Sequence, residues 1–393
     1  AAAGRTNDCI DLIADWMARP EITAEDFARE HEVVQRELEM GKDDPRRIQY
    51  YAHQANLYGT HPAAVPVIGF ADPLARLTYE DVRTYHRRMY VPQNIIFVVV
   101  GDIDPQAAIA RVVQQMQGFH KGRSPEFTLP ESPPVSGIRR VVRHSAAFKE
   151  AAQLMSFRTI PLVHPDLYAL DVLSHVLSRG RSSRLVRELK FNKRLVTSID
   201  SWSNTPSWGR GAFTVTFRAD PAKTDAAEKA ILEELRRVIR EGVTTDELDR
   251  AKRQKIAEYL RSQQTMESIA STIATDFAAT GDLGFSQNYT DNIQKVTAEK
   301  VRAMAEKYFH FDAMVITRML PATGPEVAEK KTTPQARRRT EIYTLPNGLK
   351  VVLKPTETVG LVSMVMAVQG GLLMEERKTN GLGSLMVDLS TRG

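Results

Sequence analysis

Three stretches of the form Thr-x-x-acid punctuate this chain: Thr23-Ala-Glu-Asp26, Thr78-Tyr-Glu-Asp81 and Thr244-Thr-Asp-Glu247. A threonine hydroxyl can accept from the third backbone N–H of a new helix while the acid returns the bond, so each stretch marks a helix start. Between the helices they open come short apolar, β-branched runs that fit strands. Strand pairs followed by helices imply an α+β chain of layered sandwich domains with mainly antiparallel sheets, in a repeated arrangement.

Along the chain, 6–19, 23–40, 44–58, 78–90 and 102–119 are expected to be helical, and Asn94 to Gly101 (NIIFVVVG) a buried strand. The proline-rich stretch 125–134 ends a first domain, taken as 1–130. A second domain, 131–322, holds strands at 138–144, 151–157, 195–202, 211–218 and 313–318. Its helices are expected at 165–177, 182–190, 221–240 and 297–309, with one long helical tract from 244 to about 279. Residues 323–339 read as a linker, and 340–393 as the start of a third domain. There, Asn347-Gly348 sets a hairpin turn, with a strand at 361–368 and a helix from 381 to follow. Both ends of the chain fall inside helical patterns and read as cuts, so the chain is treated as a fragment.

The helix FAREHEVVQRELEM, Phe27 to Met40, carries the main chemical question. At 100° per residue Phe27, His31, Val34 and Leu38 form one stripe, and Arg29 and Arg36 lie opposite, beside Glu32 and Glu39. Glu30 and Glu37 stack seven residues apart, hemmed by that stripe on one side and by Val33 and Met40 on the other. Such carboxylates are expected to be partly buried, and a buried carboxylate needs an arginine, a hydrogen-bond network or a metal. On the wheel alone, an ion pair at the edge of the core is the simplest partner.

Other signals are weaker. The 53 basic and 48 acidic residues give a net charge of +5, spread along the chain, which argues against a nucleic-acid surface. No apolar run is long enough to span a bilayer, and no secretory signal pattern opens the chain. Cys9 alone permits no internal disulfide and fits a core position. His53, His61, His86, His164 and His175 lack metal-ligand spacing and read as core or surface residues. Gly180 to Arg184 (GRSSR) lacks the ending of a phosphate loop; Ser182 is expected to cap a helix, with Arg181 and Arg184 in solvent. Trp202 and Trp208 read as packing residues. The serines have no nucleophile-elbow context.

Four stretches, in order, resemble the insulinase–pitrilysin zinc metallopeptidases. They are 14–40 with 43–45 (ADWMARPEITAEDFAREHEVVQRELEM, then DDP), 67–104 (VIGFADPLARLTYEDVRTYHRRMYVPQNIIFVVVGDID), 167–201 (LYALDVLSHVLSRGRSSRLVRELKFNKRLVTSIDS), and 344–355 with 371–393. Members of that family carry His-x-x-Glu-His on a helix and a further glutamate on another. The two histidines and that glutamate hold zinc, and the motif glutamate acts as general base on a zinc-bound water. The resemblance implies that Glu37 is the third zinc ligand and that Glu30 orients ligands from behind it.

The sequence departs from the family at one decisive place: it contains no His-x-x-Glu-His. The second repeat offers no substitute, since its motif positions read Ser384, Val387 and Asp388, and that half would be a degenerate partner. The resemblance therefore implies a fragment of a zinc-dependent endopeptidase, zinc being held by the intact protein. Its substrate would be a peptide enclosed between the second half of the same chain, or a homologous subunit, and this half. No catalytic residue is expected within the chain itself, and neither nucleic acid nor membrane is expected as a partner. Two-half bacterial relatives suggest a periplasmic location, with the cytoplasm the alternative. The rival function is a non-catalytic, peptidase-like partner or peptide-binding subunit. A basic scaffold without peptidase ancestry would require four ordered matches to be accidental.

Overall fold

The run Ala151–Arg158 (AAQLMSFR) lacks polar–apolar alternation, and this is what a strand covered on both faces requires. In the computed structural model it is the second of five strands in one sheet: β1 (Arg139–Ser145), β2 (Ala151–Arg158), β3 (Ser198–Asn204), β4 (Ala212–Ala219) and β5 (Val315–Pro321). Their spatial order is β1-β5-β2-β4-β3. Three of the four ladders are antiparallel, and only β1 and β5 run parallel. The structure describes residues 3–119, 122, 123, 126, 128–322 and 341–353. The chain divides into a unit spanning 1–323 and another spanning 324–393. The boundary expected near residue 130 falls inside the first unit.

Residues 3–119 are mainly helical: α1 (Thr6–Ala18), α2 (Ala24–Gly41), α3 (Pro45–Tyr58), α4 (Ala71–Arg76), α5 (Tyr79–Met89) and α6 (Pro105–Gln115). After β2 comes α7 (Leu167–Ser178); after β4 come α8 (Thr224–Glu241) and α9 (Thr245–Ser262). Then α10 (Met266–Thr280), the short α11 (Gly284–Gln287) and α12 (Tyr289–Gln294), and α13 (Ala298–Tyr308) lead to β5. The three sequence-expected capping boxes are all formed, at Thr23, Thr78 and Thr244.

Side chains on β2 alternate in direction, as on any strand. Met155 and Phe157 enter the main core with Leu170, Leu173, Leu177, Phe213 and Ile231, all essentially inaccessible. Ala152 turns the other way and packs with Ala52 of α3. The sheet is thus the middle layer of a sandwich, with α7, α8 and α13 on one face and α3 on the other. That second face carries a buried polar seam. His53 of α3 places Nε2 2.7 Å from Ser156 Oγ and Nδ1 2.9 Å from Thr317 Oγ1. Ser156 Oγ is 2.7 Å from Thr214 Oγ1, and Asn56 donates to the Ile316 carbonyl and to Thr317 Oγ1. Burial drives the pKa of His53 down to about 4, so the ring is neutral and can donate one bond while accepting another.

Four expectations are corrected. Asn94 to Gly101 is not a strand. Pro92–Asn94 is a 3₁₀ turn, and 95–100 runs without a ladder partner among the described residues. Strand propensity alone cannot supply the second chain a ladder needs. The tract from 244 to 279 is two helices, α9 and α10, broken where Thr265 Oγ1 accepts from the Ser268 N–H at 3.1 Å. The expected helix over 182–190 is instead one turn followed by a π-helix, Val186–Asn192, and Ser182 is not its cap. Arg184 is not in solvent: it lies 5 % exposed against Glu247.

The second unit is described only at β6 (Glu341–Thr344) and β7 (Lys350–Leu353), an antiparallel hairpin. Gly348 takes φ +85° in its turn, and Asn347 Oδ1 accepts from the Leu349 N–H. The expected strand at 361–368, the helix from 381, and Ser384, Val387 and Asp388 lie outside the described residues. Among the described residues no helix is long and apolar enough to cross a membrane.

Candidate metal-ligand helix

The glutamate helix α2 begins at a complete capping box. Thr23 Oγ1 accepts from Asp26 N–H at 3.0 Å, while Asp26 Oδ2 accepts from Thr23. The Thr23 hydroxyl and the Arg29 guanidinium hold the Asp26 carboxyl below its ordinary pKa. The helix ends at Gly41, and a Cβ there would come within 2.4 Å of Arg47 Nη1 and 2.8 Å of its Cδ. The glycine therefore lets Arg47 fold back across the helix end, where Nη1 donates to the Glu37 carbonyl at 3.2 Å. A cation at a helix C-terminus is favourably placed against the helix dipole.

The next helix starts immediately. Asp44 caps α3 by accepting from Arg46 N–H at 2.8 Å and Arg47 N–H, and Pro45 occupies the first turn. These backbone donors lower the Asp44 pKa. Glu37 thus stands on an elbow, Gly41 to Pro45, whose outgoing helix is locked to the sheet through His53. Neither Gly41 nor Arg47 was singled out from sequence. A glycine at a helix end followed by Asp-Asp-Pro was the available signal.

Seven residues apart on α2, Glu30 and Glu37 lie about 20° apart around the helix axis, but the expected burial does not occur. Both are exposed; the Glu30 side chain is 65 % accessible and its nearest partner is Arg29 Nε at 3.5 Å. No described side chain pairs with the Glu37 carboxylate; the Arg47 contact is to its backbone oxygen. The wheel argument failed because it assumed that apolar neighbours are covered. Met40 is 77 % exposed, and Phe27, His31, Val34 and Leu38 are only half-buried. His31 is engaged elsewhere, its Nε2 lying 2.8 Å from the Leu74 carbonyl.

Among the described residues no group of three His, Cys, Asp or Glu side chains could hold a metal. A zinc centre needs at least three protein ligands, so these residues alone do not form one. Glu37 offers a single free donor. The other histidines are occupied as the sequence reading held. His53 and His175 are buried in hydrogen-bond networks, His61 bonds the Pro130 carbonyl and the Ala63 N–H, and His86 lies 3.2 Å from the Met17 carbonyl. The GRSSR stretch is structural too. Arg184 pairs with Glu247 at 2.7 Å through Nε and donates to the Gly242 carbonyl. Burial opposes ionisation of Glu247, yet Arg184 and the Thr244 N–H hold its pKa at about 2.

A sheet sandwiched by helices, fed by a helical elbow that presents an acid, makes a layered α+β domain. A family model described as the peptidase M16 inactive domain matches residues 76–255. The zinc protease PqqE of Helicobacter pylori is 25 % identical over 304 residues, covering 76 % of this chain and 68 % of that protein. The crystal structure of a protease from Helicobacter pylori superposes with a TM-score of 0.74 at 23 % identity, over 81 % of this chain and 78 % of that one. A peptidase M16 inactive domain from Pseudomonas fluorescens gives 0.72 at 22 %, over 82 % and 77 %. The match over residues 76–255 and the relatives named zinc proteases support the resemblance to the insulinase–pitrilysin (M16) metallopeptidases.

Proposed function

We propose that this chain is part of a zinc-dependent endopeptidase and that Glu37 is its one contribution to the metal. The carrying observation is a free carboxylate on a braced elbow, beside an apolar stripe that the described residues leave half-buried. A segment bearing His-x-x-Glu-His would cover that stripe and bring the histidine pair to Glu37. Glu30, one stack earlier on the same side, would then lie behind the ligands and orient them. Substrates would be unfolded peptides enclosed between this half and a homologous half or subunit. The chain by itself, holding one donor, is expected to be inactive.

The family model's description as the inactive domain favours one second reading: a non-catalytic, peptide-binding partner subunit. One experiment separates the two. A longer form of the protein that includes the preceding coding sequence is assayed on an unstructured fluorogenic peptide, with and without Glu37→Gln. The peptidase reading expects hydrolysis that falls at least about 100-fold in the variant, the scale typical of loss of a metal-site group. Hydrolysis unaffected by Glu37→Gln removes Glu37 from the metal site. No hydrolysis at all, with a degenerate upstream motif, supports the partner-subunit reading.

A further inference from the structure

Two cavities adjoin at the C-terminal end of α3, of about 890 and 850 Å³, and they share His61 and Trp208 as a common wall. The wall is rigid. The His61 ring stacks on the Trp208 indole at 5.2 Å between centroids, and Tyr58 meets Trp208 edge-on at 5.5 Å. His61 is fixed at both ring nitrogens, by the Pro130 carbonyl and the Ala63 N–H. The larger cavity is lined by Tyr50, Tyr51, Tyr58, Val65 and Pro66, a surface suited to a flat apolar group.

The smaller cavity is positive. Its basic lining is Arg158, Arg210 and Lys307, with Glu131 the one acid. Lys307 is neutralised by Asp166 at 2.7 Å. Arg158 is not neutralised: among the described residues no carboxylate pairs with it. Its Nη1 donates to the Arg210 carbonyl at 3.1 Å, and its Nη2 is buried without an acceptor. The guanidinium carbon sits 4.7 Å from the centre of the Tyr58 ring. Burial lowers the Arg158 pKa, with Arg210 and Arg139 acting in the same direction against Tyr58. A half-buried guanidinium with a buried, unbonded N–H is costly unless an anion completes it.

We propose that the two cavities together bind a peptide segment carrying a carboxylate beside an aromatic side chain. The carboxylate meets the unpaired charge of Arg158, and the aromatic ring lies against Trp208. Among the described residues neither Arg158 nor Arg210 pairs with a carboxylate, but Arg210 is exposed and only Arg158 is half-buried. That one half-buried charge matches one carboxylate, and the aromatic wall selects an apolar body over a small inorganic anion. The carboxylate comes either from a peptide's C-terminus or from an acidic side chain. The peptidase reading is used only in choosing a peptide as the carrier; the charge and the wall stand without it.

The test uses this chain with no added metal, so its outcome is independent of Glu37. Three probes are titrated by calorimetry and tryptophan fluorescence: acetyl-Ala-Phe with a free C-terminus, acetyl-Ala-Phe-amide, and acetyl-Glu-Phe-amide. At least one carboxylate-bearing probe is expected to bind about tenfold or more tighter than the neutral amide, with a change in fluorescence that Trp208→Phe removes. Preference for the first over the third assigns the C-terminal carboxylate; the reverse assigns the side chain. Arg158→Gln is expected to erase the discrimination, and Arg158→Lys to keep part of it, with circular dichroism unchanged. Equal or undetectable binding of all three probes to the wild-type chain overturns the proposal, and so does discrimination that survives in folded Arg158→Gln. The wild-type comparison stands even where a variant does not fold.

Discussion

Residues 3–119 and 139–321 are held together by different physics. The later region is built around one apolar core in which Phe157, Phe213, Leu170, Leu173, Leu177 and Ile231 are closed off from water. In the earlier region Leu12, Ile13, Trp16, Tyr85, Ile109 and Val113 all stand exposed. Ile10, Ala14 and Ala108 are buried there, and polar contacts tie the helices at a few further points: Arg111 with Asp11, Tyr79 to the Ile22 carbonyl, and His31 near the Leu74 carbonyl. Exposed ion pairs and single hydrogen bonds contribute little net stability, whereas buried apolar area dominates. The region presenting Glu37 is therefore the weaker one in isolation, and α3 is its firm anchor because it packs on the sheet.

That contrast can be broken or sharpened by substitution. The largest effect is expected at Phe157→Ala, which should cost about 4 kcal/mol in urea unfolding, the range for emptying a closed aromatic site. A loss under about 1 kcal/mol would deny that the core dominates. Next, Arg184→Met strands Glu247 as an unpaired buried acid and should cost about 3 kcal/mol. The double variant Arg184→Met/Glu247→Leu should recover most of it, which distinguishes charge from packing.

A comparable effect is expected from pH through His53. Its folded pKa, about 4, lies below the value of 6.5 for an unperturbed histidine, so folding favours the neutral ring. Its contribution is complete above pH 6.5 and is lost as pH falls from 6.5 toward 4, by up to about 3 kcal/mol. Unfolding midpoints measured across that window should fall with pH in the wild type and flatten in His53→Gln. An unchanged slope would contradict the buried seam. The smallest effect is expected at Trp16→Ala, below about 0.5 kcal/mol despite the size of the residue, because the ring is already in water.

Local features were legible in the sequence and non-local ones were not. Thr23, Thr78 and Thr244 announce helix starts because a capping box is closed within four residues. The Asn347-Gly348 turn is readable for the same reason, and the sheet's antiparallel bias follows from the strand pairs. Residues 95–100 read as a strand because side-chain type favours one, but the ladder depends on a neighbour that composition does not name. The burial of Glu30 and Glu37 was misjudged because a wheel shows neighbours and not what covers them. The pairing of Arg184 with Glu247 spans 63 residues, and the contact of His53 with Thr317 spans 264. Arg158 carries no local sign of its isolation, since the lack of a partner is a property of the folded surroundings.

The central claim is that Glu37 is one donor of a zinc site that this chain does not complete alone. Zinc content after exhaustive dialysis, measured by metal analysis on this chain, on the longer form and on the longer form with Glu37→Gln, tests it directly. The account expects essentially no retained zinc in the first, about one ion per chain in the second, and a marked loss in the third. One tightly held zinc in this chain alone, or full retention in the Glu37→Gln protein, would contradict it.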